Sequence, residues 1–233
     1  MKTKIIILTM LVSFAVMGQQ PCKDLFISEY IDGPNKNKVI EIFNPSDSVI
    51  NLIGYSIKIF QNGAPTPLTV SLTGSINPKS TYVVSHPQAS PAILAKTDQI
   101  HVWMNFDGND AVVLNKGQSS YIDKIGEIGV NPGNSGWFVP PNGSTKDQNL
   151  RRKYPIDKGE TDWNQGKNQW DIHHSDSIGN IKDHTNICQC LFSLVNGNSW
   201  YIKGVLDYTP YQQDVYIFRL TNKQAYPGQL NTN

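Results

Sequence analysis

The sequence predicts an all-β protein, and three observations support this fold class. Short runs in which apolar and polar residues alternate recur along the 233 residues. The 18 glycines and 14 prolines separate these runs, and helical periodicity is hard to find. Short alternating runs bounded by turn residues are typical of sheet proteins. The chain is long enough for one sandwich domain and a smaller piece.

The stretch from residue 25 to residue 60 shows this pattern most clearly. Three strands are predicted there, over residues 25–30, 39–43 and 52–60. Glycine, proline and asparagine between them supply the backbone angles that turns need. Strict alternation in the first strand places Glu29 on the same face as Leu25 and Ile27.

Glu29 and Glu41 fall on neighbouring strands in this prediction. Two facing carboxylates can act as a general acid and base, or supply half of a metal site. They can also serve the fold alone, by accepting hydrogen bonds from the backbone or from a lysine at the sandwich edge. We expect the structural role, because buried carboxylates in folded proteins are usually paired.

Later strands are predicted over residues 68–72, 81–85, 102–106, 111–114 and 121–126. The segments 102–106 and 111–114 flank a turn-forming tetrapeptide and therefore predict a hairpin. Its tip carries Asp107, Asn109 and Asp110, whose oxygens are a candidate Ca²⁺ site. Asx turns, in which these side chains cap their own backbone, explain the same residues without a metal.

Residues 1–18 have the features of a signal peptide. Lys2 and Lys4 precede an apolar run over residues 5–17, and small residues lie close to a cleavage point near Gln19. The run is too short to span a bilayer comfortably, and no other apolar run approaches that length. We therefore expect an exported protein without a transmembrane segment after cleavage, in the periplasm, at the cell surface or secreted.

The mature chain is nearly neutral. Removing residues 1–18 takes away two lysines and no acidic residue, which leaves 18 basic against 19 acidic side chains. Tight, sequence-independent binding of a polyanion depends on a basic surface. The composition therefore argues against that class of function.

Three cysteines remain after cleavage, namely Cys22, Cys188 and Cys190. Export permits disulfides, and an odd number leaves one thiol free or intermolecular. We expect Cys22 to pair with either Cys188 or Cys190, which ties the start of the sandwich to its end. A lipid anchor on Cys22 is disfavoured, because Gln20 and Pro21 precede it in place of small residues. A Cys-x-Cys pair without a histidine at ligand spacing is a weak zinc signal.

Arg151, Arg152 and Lys153 form the strongest basic cluster. Such a cluster can contact the phosphates of a nucleic acid. Acidic residues are interleaved around it in the sequence. This favours a solvated strand edge of mixed charge over a nucleic-acid site.

A second candidate group contains metal-ligand side chains, namely His173, His174, Asp176, Asp183 and His184. Its spacing matches no helix-borne metal motif. The sequence also contains no nucleophile elbow, phosphate loop or dinucleotide fingerprint. We therefore predict no catalytic residue, no cofactor-binding residue and no cofactor other than the candidate Ca²⁺.

The region from residue 126 to residue 170 is polar and glycine-rich, and it contains Trp137, Trp163 and Trp170. Long loops on a sandwich often carry binding sites, where exposed indoles stack on carbohydrate or peptide. Large aromatic residues serve packing more often than ligand binding. We expect these three to cover the open end of the sandwich.

Several segments carry a family resemblance, in order along the chain. FISEYIDGPNKNKVIEIFNPSDSVINLIGYSI resembles the start of bacterial lamin-tail domains, which have an immunoglobulin-like β-sandwich fold. NPKSTYVV, NFDGNDAVVLNK, YIDKIGEIG and QNLRRKYPI resemble later landmarks, and NQWDIHHSDSIGNIKDHT resembles the closing segment. The resemblance implies a sandwich of this type over residues 22–187. The family's Gly-Asp-Asp tip is replaced here by Gly108-Asn109-Asp110, which removes the first carboxylate of any metal site at the tip.

Residues 188–233 predict a short β-rich extension with strands over 191–195, 200–206 and 214–220. Within it, WYIKGVLDYT resembles the first strands of OB-like domains that follow lamin-tail modules in secreted nucleases. The resemblance implies an incomplete OB-like domain. About 45 residues are few for an independent core.

Taken together, these features predict an exported, non-catalytic binding or tethering module rather than an enzyme. The expected partner is a protein, a glycan or a cell-envelope component. Two alternatives stay open. One is a fragment of a secreted metal-dependent nuclease or phosphodiesterase, based on the His173–His184 group. The other is a DNA-binding accessory module that uses residues 151–153.

Overall fold

The computed structural model describes residues 22–118 and 120–189, and beyond them the strand segments 191–195, 199–203, 220–221 and 224–225. The predicted signal peptide over residues 1–18, its cleavage point and Cys190 lie outside the described residues. Among the described residues, no helix is long and apolar enough to cross a membrane.

The described strands begin with β1 (Phe26–Asp32), β2 (Lys38–Phe43), β3 (Ile50–Asn51), β4 (Tyr55–Phe60), β5 (Leu68–Ser71), β6 (Ser75–Ile76), β7 (Thr81–Ser85), β8 (Gln99–Ile100) and β9 (Ala111–Lys116). They continue with β10 (Ser120–Ile125), β11 (Phe138–Val139), β12 (Gly143–Ser144), β13 (Gln148–Arg152), β14 (Trp170–His174), β15 (Leu191–Val195), β16 (Ser199–Lys203), β17 (Leu220–Thr221) and β18 (Gln224–Ala225). The helices are short, namely α1 (Pro91–Leu94), α2 (Trp163–Gly166) and 3-10 turns at Gln61–Gly63, Lys167–Gln169 and Ile187–Gln189.

Two sheets pack face to face. The larger sheet has the order β14-β13-β1-β2-β7-β8, and the smaller has the order β10-β9-β4-β5. Neighbouring strands are antiparallel except for the parallel pair β7 and β8. Ile27 and Ile42 of the larger sheet share one core with Ile57 and Leu114 of the smaller sheet. The fold is an immunoglobulin-like β-sandwich, which confirms the predicted fold class.

The backbone after residue 190 includes a four-stranded antiparallel sheet in the order β15-β16-β17-β18. β15 coincides with the strand predicted over 191–195, and β16 overlaps the one predicted over 200–206. Most of the third predicted strand, 214–220, lies outside the described residues. The short β-rich extension is therefore present, and its OB-like character stays a prediction.

The larger sheet is covered on its outer face as well. On that face Ile31, Val39 and Val83 pack against Ile93 of α1 and against Ile181. Ile181 belongs to residues 175–188, which follow β14 and lie across the outer face; we call them the covering segment. Because both faces are covered, β1 and β2 are buried along their whole length.

A buried ion pair between Asp123 of β10 and Arg152 of β13 joins the two sheets. Both side chains are fully buried. The other oxygen of Asp123 accepts the backbone N–H of Glu160 at 3.0 Å. The Arg152 guanidinium lies 3.8 Å from the centre of the Trp170 ring and donates to Gln169 at 2.7 Å. Buried charges are tolerated only with partners of this kind.

A β-bulge lies in β1 at Ser28. Ile27 pairs with Ile42, whereas Glu29 pairs with Glu41, so two steps on β1 match one step on β2. Ser28 is the extra residue, and an extra residue shifts the alternation of every side chain after it. Glu29 therefore points to the outer face, opposite Glu41.

The backbone groups of Ile27, next to the bulge, are bonded to side chains. Its N–H donates to Asp123 at 2.7 Å, and its carbonyl accepts Nε of Arg152 at 2.9 Å. These bonds satisfy both backbone groups, and the pairing of β1 with β13 begins only at Glu29. Because of the bulge, the prediction that Glu29 shares a face with Leu25 and Ile27 is wrong.

The predicted hairpin between residues 102–106 and 111–114 is also wrong. β9 pairs with β4 on one side and with β10 on the other. Neither edge of β9 is left for a third strand. Residues 102–106 form turns and irregular structure instead, in which Met104 and Phe106 are buried in the core.

A disulfide joins Cys22 to Cys188, across 166 positions in the sequence. It ties Cys22, four positions before the start of β1, to the end of the covering segment. The N–H of Cys22 also donates to the carbonyl of Asp157 at 3.0 Å. Of the two pairings that the sequence left open, the structure has the one with Cys188.

Replacing Asp123 with alanine leaves the buried guanidinium of Arg152 without its counter-charge. We expect the free energy of unfolding to fall by about 3–5 kcal/mol, measured by urea denaturation. Asp47→Ala is the matched control, because Asp47 is 78% exposed and pairs with Lys79 at the surface. That control should change stability by less than about 1 kcal/mol. Equal losses in the two variants would contradict the role of the buried pair.

Opening the disulfide should lower the melting temperature. The chain-entropy model gives about 5 kcal/mol for a loop of this length. Melting curves of the wild type with and without reductant measure the effect, and Cys188→Ser should reproduce the reduced curve. Cys190→Ser is the control that leaves the bond intact. A curve that does not move with reductant would refute the prediction.

Candidate functional site

Four charged residues form a row across the outer face of the larger sheet. Strand register places Glu41 of β2 opposite Glu29 of β1, and Glu29 opposite Arg151 of β13. Arg151 in turn lies opposite Asp171 of β14. We call these residues the charged row. It contains three carboxyl groups and one guanidinium, so carboxyl groups outnumber cations.

A cleft of about 260 Å³ lies between the charged row and the covering segment. Glu29 and Glu41 line its buried part and are 2% and 1% exposed. Asp171 of β14 and Asp183 of the covering segment are exposed at its rim. A concave site with convergent polar groups is the kind of place where ligands bind.

The Glu29 carboxylate is held by two donors on β13. Its Oε1 accepts Nδ2 of Asn149 at 2.7 Å and Nε of Arg151 at 3.1 Å. Burial nevertheless raises the pKa of Glu29 above its ordinary value, and these two donors only partly offset it. The Arg151 guanidinium also donates to the carbonyl of Ser177, which fastens the covering segment to β13.

The Glu41 carboxylate is bonded to neutral donors only. Oε1 accepts the hydroxyl of Ser28 at 2.7 Å, and Oε2 accepts the N–H of Lys182 at 2.5 Å. Burial raises the pKa of Glu41 from 4.5 to about 7, and the charge of Glu29 opposite adds to the rise.

His184 of the covering segment packs on two aromatic rings. Its ring centre lies 4.8 Å from that of Phe43 and 5.8 Å from that of Phe26. Burial lowers the pKa of His184 to about 4, so the imidazole is neutral at pH 7. Its Nε2 is buried and has no hydrogen-bond partner among the described residues.

The structure does not assemble the candidate metal ligands His173, His174, Asp176 and His184. His173 and His184 line the cleft, whereas His174 is 76% exposed and lies 3.7 Å from the Asp176 carboxylate. Alternation along β14 explains this, because adjacent residues of a strand point to opposite faces. Within the part of the chain that the structure describes, no group of three or more His, Cys, Asp or Glu could hold a metal ion.

The candidate Ca²⁺ residues bond to backbone groups of their own loop and of a neighbouring turn. Asp110 accepts the N–H of Asn62 at 2.8 Å and the N–H of Asp107 at 3.1 Å. Asp107 accepts the N–H of Asn109 at 3.3 Å. These contacts match the Asx-turn alternative. Burial raises the pKa of Asp110 to about 6.

The basic cluster does not form the predicted strand edge. Residues 151 and 152 lie in β13, which is paired on both sides by β1 and β14. Arg152 is buried against Asp123 and cannot reach a phosphate, which corrects its place in the candidate nucleic-acid site. Arg151 is bonded to Glu29, and Lys153 donates to the carbonyl of Asn168 at 2.8 Å.

Trp137, Trp163 and Trp170 are buried in the main core, with exposed fractions of 7%, 4% and 1%. The indole N–H of Trp137 donates to the carbonyl of Asp110 at 3.2 Å. These side chains pack the sandwich, as expected. They do not offer a surface for ligand stacking.

The fold and site describe an immunoglobulin-like sandwich whose outer face carries a covered, charged cleft. Residues 18–129 match the model of the Lamin Tail Domain family. The chain contains a lamin tail domain, which confirms the resemblance seen in the sequence. No curated protein matches the chain. The family match ends before β13 and β14, so two strands of the charged row lie beyond it.

The sequence missed the residues that complete the cleft. Alternation on a strand over 170–174 would have placed Asp171 and His173 on one face. Nothing in the sequence pairs that strand with β13. The sequence does place Asp183 in one group with His173 and His184, and all three line the cleft. The neighbouring position of Glu29 and Glu41 was predicted and is observed.

Replacing Glu41 with glutamine should stabilise the protein at alkaline pH. Between the unfolded pKa of 4.5 and the folded value of about 7, the folded state binds a proton that the unfolded state has released. Glu41 therefore lowers the free energy of unfolding, and this loss of stability increases as the pH rises through 7. We expect Glu41→Gln to exceed the wild type by up to about 3 kcal/mol at pH 8, and the gap to close by pH 5.

Urea denaturation of both proteins at pH 5 and pH 8 measures this gap. The difference between the two proteins is the readout, because His184 titrates in the opposite sense below pH 6.5 and is common to both. Asp176→Asn is the control, since Asp176 is 66% exposed. A gap between Glu41→Gln and the wild type that is equal at the two pH values would rule out the raised pKa.

Proposed function

We propose that the protein is an exported, non-catalytic binding or tethering module, and that the cleft over the charged row is its binding site. The observation that supports this is the construction of the cleft. Its buried part is made of side chains on the paired strands β1, β2 and β13, fixed by hydrogen bonds within the protein. Sites on rigid strands hold their geometry better than sites on loops.

The contacts of Glu41 hold the covering segment on the sheet. One oxygen accepts the hydroxyl of Ser28, and the other accepts the backbone N–H of Lys182. Lys182 adopts φ 72°, a conformation that is uncommon for a side chain of this size, and its N–H makes the bond to Glu41. This arrangement serves to hold the covering segment in place.

The partner class follows from the predicted export and from the family. We propose a protein, a glycan or a cell-envelope component as the partner, and residues 22–187 as the binding domain. Export rests on the signal peptide predicted over residues 1–18.

A tryptophan at the rim should block the site. Asn180 is exposed and lines the cleft, so Asn180→Trp should reduce binding at least tenfold without affecting the fold. Asp176→Trp is the matched control, because Asp176 is an exposed residue of the same segment that lies away from the cleft. Binding is measured on a glycan array, on solubilised envelope proteins and on plasmid DNA. If Asn180→Trp and Asp176→Trp weaken binding equally, the binding site lies outside the cleft.

The same protein should leave plasmid DNA intact in the presence of Mg²⁺, Ca²⁺ or Zn²⁺. Cleavage with any of these ions would favour the nuclease alternative and end the non-catalytic proposal. A gel shift that weakens with salt and survives Asn180→Trp would indicate DNA binding outside the cleft.

A further inference from the structure

We propose that the cleft binds a cationic nitrogen group, the alkylammonium or guanidinium of a lysine or arginine side chain or of a small amine. This inference rests on the proposed function of the cleft as a binding site and names the chemistry that it recognises.

The charges around the cleft leave carboxylates without counter-ions. The two arginines there are already paired, Arg152 with Asp123 and Arg151 with Glu29. Within the described part of the chain, no ion pair involves Glu41, Asp171 or Asp183. A cation in the cleft therefore meets carboxylates that no basic side chain of the described chain pairs.

The two histidines of the cleft add no compensating positive charge at pH 7. Burial lowers the pKa of His184 to about 4 and lowers the pKa of His173 below its ordinary value. The Nε2 atom of His184 is buried without a hydrogen-bond partner among the described residues. In the neutral tautomer that carries its proton on Nδ1, this atom accepts a hydrogen bond from an N–H donor.

Among the groups that line the cleft, the Glu41 carboxylate would be stabilised most by a bound cation. Its carboxyl is 1% exposed and is bonded only to a hydroxyl and a backbone N–H. A buried carboxylate without a positive partner is costly, and the protein lowers this cost by raising its pKa to about 7. A bound cation would supply the missing partner and favour the ionised form.

The size of the cleft limits the ligand. Its volume of about 260 Å³ is below the ~300–1,000 Å³ of sites for drug-sized ligands, so one side chain or one small amine fits. A bare metal ion is disfavoured by the geometry of the described acidic and histidine residues. Tyr154, which is 46% exposed, lines the same cleft.

Isothermal titration with four matched probes tests the charge preference: n-butylamine, n-butylguanidine, 1-butanol and butyrate. We expect the two cations to bind at pH 8 and the neutral and anionic probes to give no heat of binding. Glu41→Gln should weaken the cations about 30-fold or more, because it removes one partner of a buried charge pair. Asp176→Asn should bind like the wild type. Circular dichroism and melting curves check that both variants fold.

Two peptides separate the sources of the cation. A short acetylated peptide with one lysine, compared with its Nε-acetylated form, presents the same group on a protein-like chain. Tighter binding of the lysine peptide than of n-butylamine assigns the site to a protein side chain, and equal binding assigns it to a small amine. Loss of binding on Nε-acetylation is expected in either case.

Two results would overturn the inference. In one, butanol binds as well as butylamine; in the other, Glu41→Gln leaves the binding of butylamine unchanged. Its failure is distinguishable from failure of the proposed function. If no amine binds but Asn180→Trp still abolishes capture of a glycan or envelope protein, the cleft is a binding site without cation selectivity. If nothing binds in any assay, both proposals fall.

Discussion

The buried ion pair between Asp123 and Arg152 is the interaction on which the outer face of this protein depends. It joins the two sheets, and it takes the backbone N–H and carbonyl of Ile27 out of regular strand pairing. The bulge at Ser28 lies next to this point and turns Glu29 outward. Arg152 belongs to the interior pair and its neighbour Arg151 to the charged row, so β13 connects the core with the cleft on the opposite face of the sheet.

The sequence predicted the parts of the fold that local pattern controls. The strand over 81–85 coincides with β7, and the apolar alternation there needs no long-range partner. The bulge escaped prediction because nothing in the sequence at Ser28 signals an extra residue in the pairing of β1 with β2. The wrong hairpin prediction at residues 102–106 also has a long-range cause. These residues have β-forming side chains, some of which fill the core, but both edges of β9 are already paired, by β4 and β10.

The candidate site combines pairings from distant parts of the chain. The neighbouring position of Glu29 and Glu41 follows from a short hairpin, so the sequence could give it. The rest of the charged row requires β13 to pair with β1 across more than a hundred residues, and no local signal encodes that register. The covering segment then closes over the row through the contact between Lys182 and Glu41. The family match covers residues 18–129, whereas β13, β14 and the covering segment lie beyond it.

The disulfide has a mechanical consequence. Cys22 and Cys188 are 5.5 Å apart at their Cα atoms, and all of the sandwich strands lie between them in the sequence. Tension applied to the chain before Cys22 and after Cys188 passes through one covalent bond and bypasses the sandwich. Residues 23–187 then form a closed loop that carries none of the applied force, so pulling on the chain outside the two cysteines does not unfold the sandwich. A domain closed in this way keeps its fold under shear for as long as the bond stays oxidised.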